Sequence, residues 1–168
     1  MAARNNVASI NAEATATSEP QDRTLVITRE FNAEPAAVFK AWTDPKALLQ
    51  WMGPRQYPAF HVEQDLRVGG AYRIGLRGIE DGRELWQSGV YHKIASPRRL
   101  VFSFAWDNAG GGKGPETLVA ITLTARGDQT VMTFRQSVFD TTSNRDGHET
   151  GWQSAFDRLD EALARVSA

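Results

Sequence analysis

The stretch DGHETGWQSAFDRLDEALARV, residues 146–166, sets the constraint that the rest of the chain must satisfy. Trp152, Ala155, Phe156, Leu159, Ala162, Leu163 and Val166 recur at steps of three and four, which at about 100° per residue places them on one apolar stripe. Asp157, Arg158, Glu161 and Arg165 fall on the opposite side. Asp146 and Glu149 have the spacing of a capping box, so the sequence predicts a helix that begins at Asp146. At about 1.5 Å per residue such a helix is roughly 30 Å long and needs a broad apolar surface beneath it. His148 lies one turn before Trp152, on the same buried side. Gly151 costs a helix about 1 kcal/mol relative to alanine, so it implies either close packing or room left for something else; packing is the expectation.

The remainder of the chain supplies that surface. Leu25, Ile27, Arg29 and Phe31 alternate along a first strand. Pro35 then opens a short helix with Val38, Phe39 and Trp42 on its buried side, and Asp44-Pro45 opens a second, over Lys46 to Met52, carrying Leu48 and Trp51. From Ala59 the period changes to two. Strands are predicted at 59–66, 71–77, 84–95, 99–106, 117–125 and 130–138, with turns at Gly69-Gly70, Asp81-Gly82, Ser96-Pro97, the glycine-rich segment 110–114 and Gly127-Asp128. The order is α+β: one strand, two short helices, six strands and one long helix. Residues 1–22, rich in Ala, Asn, Thr and Ser, read as a disordered tail without a secretory signal, and residues 23–166 as a single domain.

Composition narrows the function classes. With 19 basic and 20 acidic residues, nothing in the 168-residue chain advertises nucleic acid or an anionic membrane. The absence of cysteine removes disulfides, thiol nucleophiles and thiolate metal sites, and suits a cytoplasmic location. Five tryptophans and eight phenylalanines can line a pocket as readily as fill one.

Phe31 to Trp42 with Pro35 and Phe39, then Thr43-Asp44-Pro45, Trp51, Gly53-Pro54, Asp65-Leu66-Arg67-Val68-Gly69-Gly70 and finally Gly151-Trp152 form a pattern that closely resembles the SRPBCC superfamily. Within it, the pattern is similar to the branch named for homology to the activator of Hsp90 ATPase. The resemblance implies the helix-grip, or Bet v 1-like, fold: a curved seven-stranded antiparallel sheet around a long C-terminal helix. It also implies a cavity between sheet and helix that takes apolar or amphipathic ligands in many members. It implies no particular reaction, because function belongs to sites rather than to folds.

Alternation then asks which polar side chains share a strand face with apolar ones. Trp86, Ser88, Val90, His92 and Ile94 form one face; Met132, Phe134, Gln136 and Val138 another; Tyr72, Ile74 and Leu76 a third; Phe102, Phe104 and Trp106 a fourth. If these look toward Trp152, an aromatic hollow with a few polar groups results, the usual make-up of a small-molecule site. The expected ligand-binding set is Trp51, Phe60, Tyr72, Trp86, His92, Phe104, Trp106, Gln136, His148 and Trp152.

No catalytic motif, cofactor or metal is expected. The pairs His61 with Glu63 and His148 with Glu149 lack the spacing of a zinc site, no strand-turn-helix serine motif occurs, and segment 110–114 joins two strands rather than a strand to a helix as a phosphate loop does. The reading is a binding domain for a small apolar ligand. Two alternatives remain open: a cyclase or dehydratase using His92 or His148 beside Tyr72 or Arg135, and a chaperone-associated protein-binding domain. A homodimer and an unidentified protein partner are likewise left open.

Overall fold

The alternating segments pair into one antiparallel sheet in the computed structural model, which describes residues 21–167. Its strands are β1 (Leu25–Phe31), β2 (Ala59–Gln64), β3 (Ala71–Arg77), β4 (Glu84–Ala95), β5 (Arg99–Trp106), β6 (Thr117–Arg126) and β7 (Gln129–Ser137). They stand in the order β1-β7-β6-β5-β4-β3-β2. Consecutive strands from β2 to β7 are therefore neighbours, and β1 closes the far edge by pairing with β7, Ile27 opposite Phe134. The predicted tail falls outside the described residues except for Gln21 and Asp22, which with Arg23 form one 3₁₀ turn.

Helices α1 (Pro35–Thr43) and α2 (Pro45–Trp51) carry the chain from β1 to β2, across the two edges of the sheet. Each begins on proline, whose missing N–H is one that the first helical turn leaves unpaired anyway. Asp44 ends α1 and caps α2 by accepting from the Lys46 backbone N–H at 3.1 Å. Gly53 follows at φ +87°, and a Cβ there would sit 2.3 Å from the Tyr57 carbonyl oxygen, so glycine is required for the chain to turn from α2 into β2.

Helix α3 (Thr142–Ser167) lies in the concave side of the sheet. It begins four residues before the predicted start. Thr141 Oγ1 accepts from the Asn144 backbone N–H at 3.0 Å and Asp140 accepts from the Asn144 side chain at 2.8 Å, so the cap lies at Thr141. Asp146 is inside the helix and pairs sideways with Arg145 at 2.7 Å instead. From Ala155 to Leu163 the predicted stripe is packed against the sheet, with Phe156 and Leu159 0% exposed, but Val166, expected on the same stripe, is 81% exposed, because the helix there runs past the surface that covers it. Around Phe156 stand Trp42, Trp51, Phe134 and Trp152, with ring centroids 5.3–6.3 Å from it. No helix among the described residues is long and apolar enough to cross a membrane.

Candidate functional site

The first half of α3 meets different surroundings. Between it, the ends of β3, β4 and β5, and the loop after α2 lies a cavity of about 560 Å³. Gly147 and Gly151, one turn apart, face it, and a Cβ built on either would meet nothing within 4 Å. Gly151 therefore leaves room, contrary to the expectation of close packing. One rim of the cavity is tied directly to the helix. The Arg158 guanidinium donates to the carbonyls of Met52 at 2.9 Å and Gly53 at 2.7 Å, and Ser154 Oγ accepts from the Arg55 backbone N–H at 3.1 Å.

Four of the ten expected residues come together here: Phe104, Trp106, His148 and Trp152. Both indoles are fixed by their N–H. Trp152 Nε1 donates to Gln136 Oε1 at 2.8 Å, and Gln136 Nε2 donates to Thr117 Oγ1 at 2.8 Å. Gln136 is thus a fully buried support behind Trp152 rather than a wall of the cavity. Trp106 Nε1 donates to His148 Nε2 at 2.9 Å. An indole N–H can only donate, so Nε2 must be the bare nitrogen and Nδ1 carries the proton, which it gives to the Asn144 carbonyl at 2.8 Å. Burial holds the His148 pKa below its ordinary value, opposed by the Asn144 hydrogen bond and the nearby Asp140 carboxylate. The imidazole is neutral, and both of its nitrogens are already engaged.

The other five expected residues lie elsewhere. Trp51 is 0% exposed, donates to the Ala41 carbonyl at 2.9 Å and packs edge-on to Trp42 at 4.7 Å, in the solid core. Tyr72 is buried, donates to the Ser103 carbonyl at 2.8 Å and has its pKa pushed well up by desolvation; it borders a void of about 20 Å³ beside Phe102 and Tyr91 and the floor of a separate groove of about 700 Å³, but not the cavity under the helix. Phe60, Trp86 and His92 are corrections of a different kind, because they face outward from the convex side. Trp86 lies edge-on to Phe60 at 5.3 Å across Gly75, with the Arg73 guanidinium 4.0 Å above its ring, while Arg77 covers Phe60 at 3.9 Å. His92 is exposed. As far as Tyr91 the inward residues of β4 are Leu85, Gln87 and Tyr91, the phase opposite to the one expected; a register shift between Tyr91 and Lys93 then changes the phase, and Ile94 packs against the core as expected. Arginine stems and cation–π contact make an outer face that looks apolar in the sequence.

Beyond the expected set, the cavity is walled by Tyr57, Leu76, Leu85 and Gln87, with Asp140, Thr141, Ser143 and Asn144 at the helix start. Leu76 was legible from the alternation of β3. Gln87 needed the correct phase of β4, and the helix-start residues needed the earlier cap. A groove of about 700 Å³ on the convex side holds Arg73 and Lys113, but both pair with Asp107, at 2.9 and 3.0 Å.

Residues 32–164 match the model of the activator of Hsp90 ATPase homolog 1-like proteins. The chain belongs to that family. Its seven-stranded sheet gripping a C-terminal helix is the helix-grip fold of the SRPBCC superfamily, as the resemblance implied. Among solved structures, a protein of Chromobacterium violaceum is similar with 25% identity and a TM-score of 0.77, over 84% of this chain and 96% of that one. The AHSA1 protein of Silicibacter pomeroyi is similar with 24% identity and a TM-score of 0.76, over 84% and 97%. A protein of Arthrobacter aurescens gives 24% identity and a TM-score of 0.78, over 89% and 92%. No curated protein matches. Members of this family share a fold that is compatible with ligand binding, and the residues of the cavity decide what enters it.

Proposed function

We propose that this family member binds a small apolar or amphipathic molecule in the cavity under the first half of α3. The observation that carries this is the pairing of a 560 Å³ space with two glycines on the helix above it, Gly147 and Gly151, whose missing side chains keep it open. The volume lies within the usual range of small-molecule sites, and the wall is made of aromatic and aliphatic side chains with a few polar groups at one end. A cysteine-free chain with no apolar spanning helix among its described residues supports a cytoplasmic setting.

What weighs against a cyclase or dehydratase is the placement of its proton carriers. His92 is on the outer face, and His148 cannot exchange a proton with a guest without giving up Trp106 or the Asn144 carbonyl. For a chaperone-associated role, no surface feature among the described residues specifies a partner.

Native mass spectrometry of freshly purified protein, followed by organic extraction, tests the binding reading. The wild-type chain is expected to carry a low-mass apolar compound that the variant Gly151→Phe, with the cavity filled by a ring, does not retain. Equal retention by wild type and a folded Gly151→Phe would place the guest elsewhere and sink the proposal.

A further inference from the structure

Among the described residues, the wall of the cavity contains one polar side chain whose amide meets the open space instead of a protein partner. Trp152 Nε1 is held by Gln136, Trp106 Nε1 by His148, the Tyr57 hydroxyl by Asp81 at 2.5 Å and the Asn144 amide by Asp140. Gln87 is different. It is 4% exposed, it lines the cavity, and its amide makes no hydrogen bond to any described residue; because no side-chain nitrogen or oxygen among the described residues is both sealed off and unpartnered, the amide reaches the open space of the cavity. On the sheet it stands opposite Ile74 on β3 and Trp106 on β5, so its surroundings on the inner face are apolar. Buried amides almost always have a partner, and one that points into a cavity finds it in whatever fills the space.

Charge is distributed in the same sense. Among the cavity residues the only carboxylate is Asp140, exposed at the helix start, and His148 is kept neutral by burial and its two hydrogen bonds. An ionised group pushed to the Gln87 end would lose its water without meeting a counter-charge.

We propose that Gln87 is the anchor that selects the guest: an uncharged molecule with an apolar, ring-sized body and a carbonyl or hydroxyl at its inner end, hydrogen-bonded to the Gln87 amide. This rests on the cavity being the binding site, and it adds which chemical class the site accepts. The Gln87 amide offers two N–H donors and one acceptor oxygen, so a ketone, an amide or an alcohol satisfies it, whereas a pure hydrocarbon fills the space and leaves it unpaired.

Three probes of one shape separate the two readings: naphthalene, 2-naphthol and 2-naphthoate, each titrated into wild type, Gln87→Leu and Gln87→Met by equilibrium dialysis at neutral pH. Far-UV circular dichroism establishes that each variant is folded, and the second variant replaces the first should leucine distort β4. The wild type is expected to bind 2-naphthol about tenfold tighter than naphthalene, the worth of one neutral hydrogen bond, and 2-naphthoate weakest. Either variant should bind naphthalene more tightly than the wild type does, because no amide is left unpaired, and lose the preference for 2-naphthol. A wild-type ratio near one, or a ratio that survives both substitutions, overturns Gln87 as the anchor while leaving the cavity reading in place. Tighter binding of 2-naphthoate than of 2-naphthol overturns the uncharged guest. No binding of any probe to the wild type overturns the cavity reading itself, and the anchor with it.

Discussion

Phe156 and Leu159, in the second half of α3, are 0% exposed against a wall of rings, whereas Gly147 and Gly151, earlier on the same helix, look into open space. Both halves rest on the same sheet. What differs is side-chain size: large residues where helix and sheet must meet, and bare backbone where they stand apart. A core need not be closed along its whole length to be stable, provided that the closed part is packed densely enough to hold the open part in place. Trp152 marks the boundary, with Phe134 at 4.7 Å on one side and the cavity on the other.

Substitutions can break or sharpen this contrast. The largest effect is expected from Phe156→Ala in the closed half, which leaves a hole among Trp42, Trp51, Phe134 and Trp152 and should cost about 3–5 kcal/mol in urea unfolding. A loss below about 1 kcal/mol would mean that this half is as loose as the other.

In the open half the sign reverses. Gly151→Ala adds a methyl group where nothing lies within 4 Å and removes the helix penalty of glycine, so it should raise stability by up to about 1 kcal/mol. Destabilisation by that substitution would show that the space is not free in solution.

The smallest expected effect is a pH dependence localised at His148. Its folded-state pKa lies below the ordinary value of 6.5, so the unfolded chain takes up the proton first. Its contribution to stability is therefore complete above about pH 6.5 and declines as the pH falls from there toward the folded-state pKa, below which it is constant. Protonation also turns Nε2 into a donor facing the Trp106 N–H donor. Melting temperatures measured from pH 8 to pH 5 should fall more for the wild type than for His148→Leu. Parallel curves would remove His148 from this role.

The architecture was legible because periodicity is strong wherever one side of an element is buried. The order of elements, the proline-started helices and the apolar stripe of α3 all follow from local spacing. Half of the expected site was not legible, for a geometric reason. Alternation tells which residues of a strand share a face, but not which face is concave. On β4 the tryptophan and the histidine pointed the reading to the wrong side, because Trp86 is covered on the outside by Arg73 and Phe60. The helix start was missed because Thr141 competes with Asp146 as a cap, and only the chain arriving from β7 places Thr141 and Asp140 at the end of the helix.

By itself, the sequence determined that seven strands and one long amphipathic helix must bury a common surface, since apolar residues at periods of 2 and 3.6 have no other stable arrangement. Tertiary structure alone decided where that surface fails to close, and which glutamine lines the gap. Those outcomes depend on how far the sheet curves from the helix, a distance set by all the strands together and written in no single stretch of the chain.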